Sequence, residues 1–189
     1  DTGPFPNLFL VEPPIYAATV VCLSRLTGLS LEPCGRWVSA LGITLTAWGL
    51  HGLVRRRAGP RAALIAAASL AAMPVTIRYG RAFQPDALML GALVASLRCW
   101  DEAQARRSRS WFTAGWLSLA TALALKVTAA YALAPLILAI LRPPRWRKAL
   151  LTLTAFAPAI LWYAHAQALI DAGGSRASAD NQAIWLRVL

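Results

Sequence analysis

The sequence predicts an all-α integral membrane protein with about six transmembrane helices and one helix lying on the outer membrane surface. Of its 189 residues, 58% are hydrophobic, and the mean hydropathy is +0.52. This exceeds the roughly half-apolar usage of soluble domains. In a soluble protein, the net charge of +11 would suggest binding to nucleic acid. Here the basic residues lie in clusters between long apolar blocks, which is typical of loops that set membrane orientation, so we expect no nucleic-acid partner.

Apolar runs bounded by charged residues, proline or glycine define the candidate spans. They lie near 36–54, 60–78, 85–99, 109–126, 127–141 and 149–170. The apolar stretch from Trp111 to Leu141 would be about 46 Å long as one helix, too long for a hydrocarbon core of about 30 Å. We therefore predict a hairpin that turns at Lys126.

Three connections, 55–61, 98–110 and 142–148, carry 12 of the 19 basic residues. The positive-inside rule assigns them to the cytoplasm. The other face then carries residues 1–35, the turn 78–86, Lys126 and the tail. We expect a bacterial inner membrane protein with its site facing the periplasm or cell exterior.

Segment 14–28 is also apolar. If it crossed the membrane, the basic connections that follow would lie on the outer side, against the positive-inside rule. We therefore interpret it as an interfacial helix. Residues 1–35 then form an outer loop, 36–170 the transmembrane bundle, and 171–189 the start of a further outer loop. The sequence opens on Asp1 without a signal peptide and closes within a loop. We therefore expect a fragment truncated at both ends.

The predicted outer face gathers the ionisable residues that are candidates for a site. Such groups near membrane depth are costly and ordinarily line a wet cavity or pair with one another. Arg78, Arg81 and Asp86 share one short turn, where two guanidiniums could bind a phosphate while the carboxylate orients a cation or hydroxyl. Lys126 would add a point charge suited to phosphate, and Glu12 a carboxylate held at the cavity rim by the prolines that follow it.

Each candidate also has a structural explanation. Asp86 could cap the helix that it opens, Lys126 could extend to the interface, and Glu12 could be an ordinary loop acid. His165 is a candidate metal or acceptor contact, but with Trp162 and Tyr163 it also fits an interfacial aromatic belt. The sequence contains neither the phosphate-binding loop of nucleotide hydrolases nor the glycine motif of dinucleotide-binding domains. It also lacks the HExxH motif of zinc proteases and the GxSxG motif of serine hydrolases. The sequence identifies no particular cofactor, although a divalent cation is compatible with the carboxylates.

The order of motifs resembles a known family. VEPPIY (11–16) leads to an amphipathic helix ending in Leu-Thr-Gly, then to GRWVSALG (35–42), a basic turn, and RYGRAFQPDALML (78–90). ALKVTAAYALAP (124–135) and ILWYAHAQAL (160–169) follow. This order resembles the membrane glycosyltransferases of the GT-C type, closest to the protein mannosyltransferase-like branch and the aminoarabinose transferase of lipid A.

The resemblance implies transfer of a sugar from a polyprenyl-phosphate donor to a lipid, glycan or protein acceptor at the outer face, usually with inversion. It implies that Asp86 is the family's outer-turn carboxylate and that Arg78, Arg81 and Lys126 contact phosphate. The family's main catalytic carboxylate would lie upstream of residue 1, and Glu12 stands where relatives often have His or Lys. Two alternatives to the transferase stay open: a transporter or flippase of an anionic lipid, and a non-catalytic assembly subunit.

Overall fold

The computed structural model describes residues 12–132 and 146–171, and its regular structure within those ranges is entirely helical. The α-helices are α1 (Ile15–Thr27), α2 (Leu31–Ala72), α3 (Pro74–Arg81), α4 (Asp86–Arg106), α5 (Arg109–Leu125), α6 (Trp146–Leu153) and α7 (Ala157–Asp171). Two 3₁₀ helices span Val127–Ala132 and Thr154–Phe156. The all-α prediction agrees with this part of the chain. Most of predicted span 127–141 and the outer loop after residue 171 lie outside the described residues.

The predicted connection 55–61 takes the form of a kink at a single residue of α2. Gly59 has φ 86° and ψ 173°, a conformation that residues with a Cβ rarely adopt. Pro60 follows, and its missing N–H and fixed φ suit the first turn of a new helical arm. The bend divides α2 into a first arm, 31–58, and a second arm, 60–72. The two predicted spans are therefore joined by a sharp kink.

The second arm and α3 together carry the chain back along the first arm. Pro74 begins α3 after an extended Met73, so the predicted span 60–78 is broken near its end. At the end of α3, Gly80 lies against the side chain of Ile43. The next turn reaches Ser39, whose hydroxyl donates to the Ala82 carbonyl at 2.6 Å. The return therefore finishes beside the beginning of the first arm.

Helix α4 runs parallel to the first arm of α2 and in direct contact with it. Gly42 lies against the backbone of Ala87, and the α-carbon region of Gly91 lies against the carbonyl of Gly42. Further along, Arg56 forms an ion pair with Glu102 at 2.6 Å. Contacts thus advance along both helices in the same direction. Because Gly42 and Gly91 have no side chains, the two backbones can approach this closely.

Helix α5 returns antiparallel to α4. Arg107 in a left-handed conformation ends α4, and Ser108 begins α5 by accepting a hydrogen bond from the Trp111 backbone N–H. The helix ends at Leu125, where the hairpin is predicted to turn, and most of the predicted returning arm lies outside the described residues. An apolar core joins α4, α5 and the last helices through Ala92, Leu119, Ala120, Ala122, Leu123, Ala129, Ala155 and Ala159.

Helix α1 lies over one end of this bundle. The Tyr16 hydroxyl donates to the Gly35 carbonyl at 2.9 Å, and its ring meets Phe83 edge-on at 5.7 Å between centroids. Gly28 ends the helix with φ 72°. We call the end of the bundle that contains Asp86 and Lys126 the Asp86 end. The opposite end, which contains Arg56, is the Arg56 end.

Within the described ranges, one helix, α2, is long and apolar enough to cross a membrane by length and composition. Large apolar side chains also stay exposed along the bundle, including Leu64 (63%), Ile160 (63%) and Leu161 (69%). The predicted span 149–170 is interrupted, since a 3₁₀ segment separates α6 from α7. The count of six spans and the surface position of α1 stay predictions.

We expect Gly42→Leu to destabilise the protein, because the new side chain would overlap the backbone of Ala87. Overpacking of this kind costs about 1–3 kcal/mol, which corresponds to a melting temperature lower by about 2–4 °C per kcal/mol in a chain of this size. Thermal unfolding in detergent measures it. Ala40→Leu, at an exposed position on the same helix, should leave the melting temperature unchanged, and equal loss in both variants would contradict the close contact.

Candidate functional site

An ion pair between Asp86 and Lys126 is the centre of the candidate site. Asp86 is the first residue of α4, and Lys126 directly follows the last residue of α5. The Lys126 Nζ donates to Asp86 Oδ1 at 2.8 Å, and the two side chains are 30% and 28% exposed. Because the pair is partly open to solvent, a ligand can reach both charges. The structure thus joins two residues that the sequence nominated separately.

Pro85 occupies the N-cap position of α4, and Asp86 is the first residue of the helix. The Asp86 carboxylate accepts a hydrogen bond from Lys126, and its place in the first turn also suits the positive end of the helix dipole.

Glu12 completes the group that we call the acid–lysine cluster, which consists of Glu12, Asp86 and Lys126. Burial raises the pKa of Glu12 above its ordinary value of 4.5, the nearby Lys126 charge lowers it, and the Asp86 carboxylate raises it further. The net direction is upward. Glu12 is therefore a half-buried carboxyl within electrostatic range of the other two members.

The turn before Asp86 is held by a buried serine. Ser39 is fully buried, and its hydroxyl contacts the carbonyl oxygens of Ala82 at 2.6 Å and Gln84 at 3.2 Å. The Tyr16 hydroxyl lies 3.0 Å from the same Ser39 oxygen. Ser39 thus joins the backbone of this turn to α2, which fixes the position of Asp86 relative to that helix.

Two tyrosines belong to the surroundings of the cluster and were missed by the sequence prediction. Tyr79 on α3 interacts electrostatically with Lys126, and Tyr163 on α7 interacts with Glu12. The sequence gave weak signals for both, because Tyr79 lies between the two nominated arginines and Tyr163 lies two residues before His165. Their proximity to the cluster depends on how α3 and α7 pack.

Arg78 and Arg81 lie in the last turn of α3, at the Asp86 end, and both are exposed. Neither guanidinium has a carboxylate partner among the residues that the structure describes. Within the described ranges the ion pair of the Asp86 carboxylate is thus with Lys126 and not with either arginine. The arginines remain available to an external anion.

His165 is exposed on α7, with its ring centroid 6.0 Å from that of Trp162. This position fits the aromatic-belt explanation, and no contact joins it to the acid–lysine cluster in the described ranges. No group of three His, Cys, Asp or Glu side chains that could hold a metal ion occurs there either.

The described residues thus form a helical bundle with one helix long and apolar enough to cross a membrane and a charged, partly open cluster at one end. The family model described as dolichyl-phosphate-mannose-protein mannosyltransferase matches residues 11–168. The chain belongs to this family, which confirms the resemblance found in the sequence and makes it a mannosyltransferase-like glycosyltransferase. No curated protein and no solved structure matches the sequence significantly.

We expect the Asp86–Lys126 pair to show a coupling free energy of about 1 kcal/mol in a double-mutant cycle of Asp86→Asn and Lys126→Gln. The reason is that each single change leaves a partly buried charge without its partner. Unfolding in detergent measures the coupling. The exposed pair of Glu32 and Arg36 on α2 is the matched control, with about 0.3–0.5 kcal/mol expected; equal couplings would contradict a special role for Asp86–Lys126.

We expect Glu12→Gln to change how stability depends on pH. Because the pKa of Glu12 is raised in the folded protein, the folded state binds a proton more tightly than the unfolded state. Stability should then fall as the pH rises through the window above 4.5. The variant should melt at a higher temperature than wild type at pH 8 and at the same temperature at pH 4. Parallel melting curves across this range would contradict the shift.

Proposed function

We propose that the protein transfers a sugar from a polyprenyl-phosphate donor to an acceptor at the outer face of the membrane. Family membership over residues 11–168 carries the proposal. The acid–lysine cluster supports it, because a lysine and two exposed arginines occupy the same end of the bundle. Such a set of cations suits a donor whose sugar is joined to a phosphate.

In the proposed reaction the acceptor hydroxyl oxygen attacks the anomeric carbon of the donor sugar. The bond from that carbon to the phosphate oxygen breaks, and the lipid phosphate leaves with the bonding electron pair. The acceptor proton passes to a carboxylate that acts as the general base. Attack opposite to the departing phosphate inverts the anomeric carbon.

We assign phosphate binding to Lys126, Arg78 and Arg81. Negative charge grows on the phosphate as it departs, so fixed cations there stabilise the transition state more than the ground state. Asp86 orients Lys126 in the resting ion pair at 2.8 Å. Once the donor phosphate engages Lys126, the Asp86 carboxylate can accept a hydrogen bond from the acceptor hydroxyl. Glu12 lies at the rim of the same cluster, where its raised pKa suits a carboxyl that exchanges a proton.

We propose further that the Asp86 end faces the cell exterior or periplasm of a bacterial inner membrane. Basic residues are concentrated at the other end of the helices, in the kink region 55–61 and in the connection 98–110. The positive-inside rule assigns such clusters to the cytoplasm. Cysteine accessibility to an impermeant thiol reagent, at residues introduced at the two ends, tests this orientation.

The transfer reaction is tested with the full-length protein in proteoliposomes, supplied with a radiolabelled polyprenyl-phosphate sugar and a membrane extract as acceptor. Wild type should move label from donor lipid to a new product. Asp86→Asn should abolish transfer, and Arg81→Ala and Lys126→Gln should each lower it by about 10²–10³-fold, the usual effect of losing one group that stabilises developing charge.

Matched controls separate these effects from general changes in charge. Glu32→Gln and Arg25→Ala alter exposed residues of α2 and α1 and should retain full transfer. Wild-type turnover in Asp86→Asn would remove Asp86 from the mechanism. Label that crosses the bilayer still attached to its lipid would identify a transporter and contradict the transferase.

A further inference from the structure

A second charged cavity lies at the Arg56 end, away from the acid–lysine cluster. Its volume is about 400 Å³, and its lining residues are His51, Gly52, Arg55, Arg56, Arg98, Glu102 and Arg106. From Asp86 to Glu102 along α4 the distance is about 24 Å. The cavity therefore takes no part in the reaction proposed for the Asp86 end.

The lining carries a surplus of positive charge, with four arginines against one glutamate. The glutamate is already committed, because Glu102 Oε1 pairs with Arg56 at 2.6 Å and Glu102 Oε2 with Arg106 at 2.8 Å. Asp101 pairs with Arg56 as well, at 2.6 Å. No carboxylate is left for Arg55 or Arg98 in the part of the chain that the structure describes. An external anion would balance this charge.

Arg98 is held rigidly at the cavity wall. Its guanidinium lies 4.1 Å above the Trp48 ring centroid, and Nη1 donates to the Trp48 carbonyl at 2.8 Å. The group occupies the space beside Gly52 where a Cβ would otherwise be. Its Nε–H is buried and has no acceptor among the described residues. The Trp48 ring and carbonyl thus fix the orientation of the guanidinium at the cavity wall.

These observations differ from those expected of arginines that merely set membrane orientation. Orientation requires only charge in a connection, and solvated side chains would satisfy it. A guanidinium fixed at the wall of a cavity with surplus positive charge is instead typical of anion recognition. Arginine binds phosphate oxygens through two parallel N–H donors, and basic pockets between membrane helices bind anionic lipid head groups.

We propose that this cavity is a phosphate-binding site in which Arg55 and Arg98 bind the anion, with Arg56 and Arg106 held beside it by Glu102. The phosphate belongs either to an anionic lipid of the adjacent leaflet or to a soluble phosphate compound. Both sources share the same chemistry at the arginines.

The test uses the full-length protein in a neutral detergent, with melting temperature and native mass spectrometry as readouts. The probes are a short-chain phosphatidylglycerol, the zwitterionic phosphatidylcholine of the same chain length, and inorganic phosphate. We expect phosphatidylglycerol or inorganic phosphate to stabilise wild type and bind it, with phosphatidylcholine weaker. Stabilisation by phosphatidylglycerol alone identifies a lipid, and equal stabilisation by inorganic phosphate identifies a soluble ligand.

The double variant Arg55→Gln with Arg98→Gln should bind the effective probe at least about tenfold more weakly, since two charge-assisted contacts are lost. The matched control removes two arginines outside the cavity, Arg25→Gln with Arg61→Gln, and should bind as wild type does. If the double variant does not fold, Arg98→Lys replaces it in the test. This change keeps the positive charge but removes the planar guanidinium, and it should weaken binding to an intermediate degree.

Equal binding by wild type and the cavity variants, or equal losses in the control, would overturn the proposal. Sugar transfer is not a readout of this experiment, so its result does not depend on the function proposed for the Asp86 end.

Discussion

The direct backbone contact between the first arm of α2 and α4 is the constraint on which the rest of the structure depends. Gly42 and Gly91 allow it, because any side chain at either position would overlap the other helix. Since the two helices are parallel, the intervening chain must return over the full length of the bundle. It does so through the Gly59 kink and the break at Met73. Asp86, at the start of α4, and the cavity at the Arg56 end both lie along these two helices.

Much of the fold follows from local patterns in the sequence. Apolar blocks predicted the helices, Gly28 predicted the end of α1, and the excess length of the apolar stretch around Lys126 predicted the break there. The sharpness of the turn at Gly59 was not predictable in the same way, because a Gly-Pro pair permits either a loop or a kink. The pairing of α2 with α4 was also missed. Its signal was present in glycines spaced by seven, at 35, 42 and 49, but a spacing on one helix does not name its partner.

The site shows the same division between local and long-range information. Asp86 and Lys126 were selected because charge near membrane depth is costly, and that argument needs no structure. Their pairing spans 40 positions of sequence and depends on the antiparallel packing of α4 on α5. Arg78 and Arg81 were expected beside Asp86 because they are close in sequence. The turn held by Ser39 instead separates α3 from α4, and Lys126 reaches the carboxylate.

The positions of Asp86 and Lys126 on their helices determine how each charge is stabilised when the ion pair opens. Asp86 is in the first turn of α4, and Lys126 follows the last turn of α5. Aligned peptide dipoles give a helix about half a positive charge at its start and half a negative charge at its end. Each side chain therefore faces the terminus of opposite sign. If Lys126 moves away, the backbone of α4 therefore continues to stabilise the Asp86 carboxylate, and the opened pair leaves neither charge without a favourable helix end.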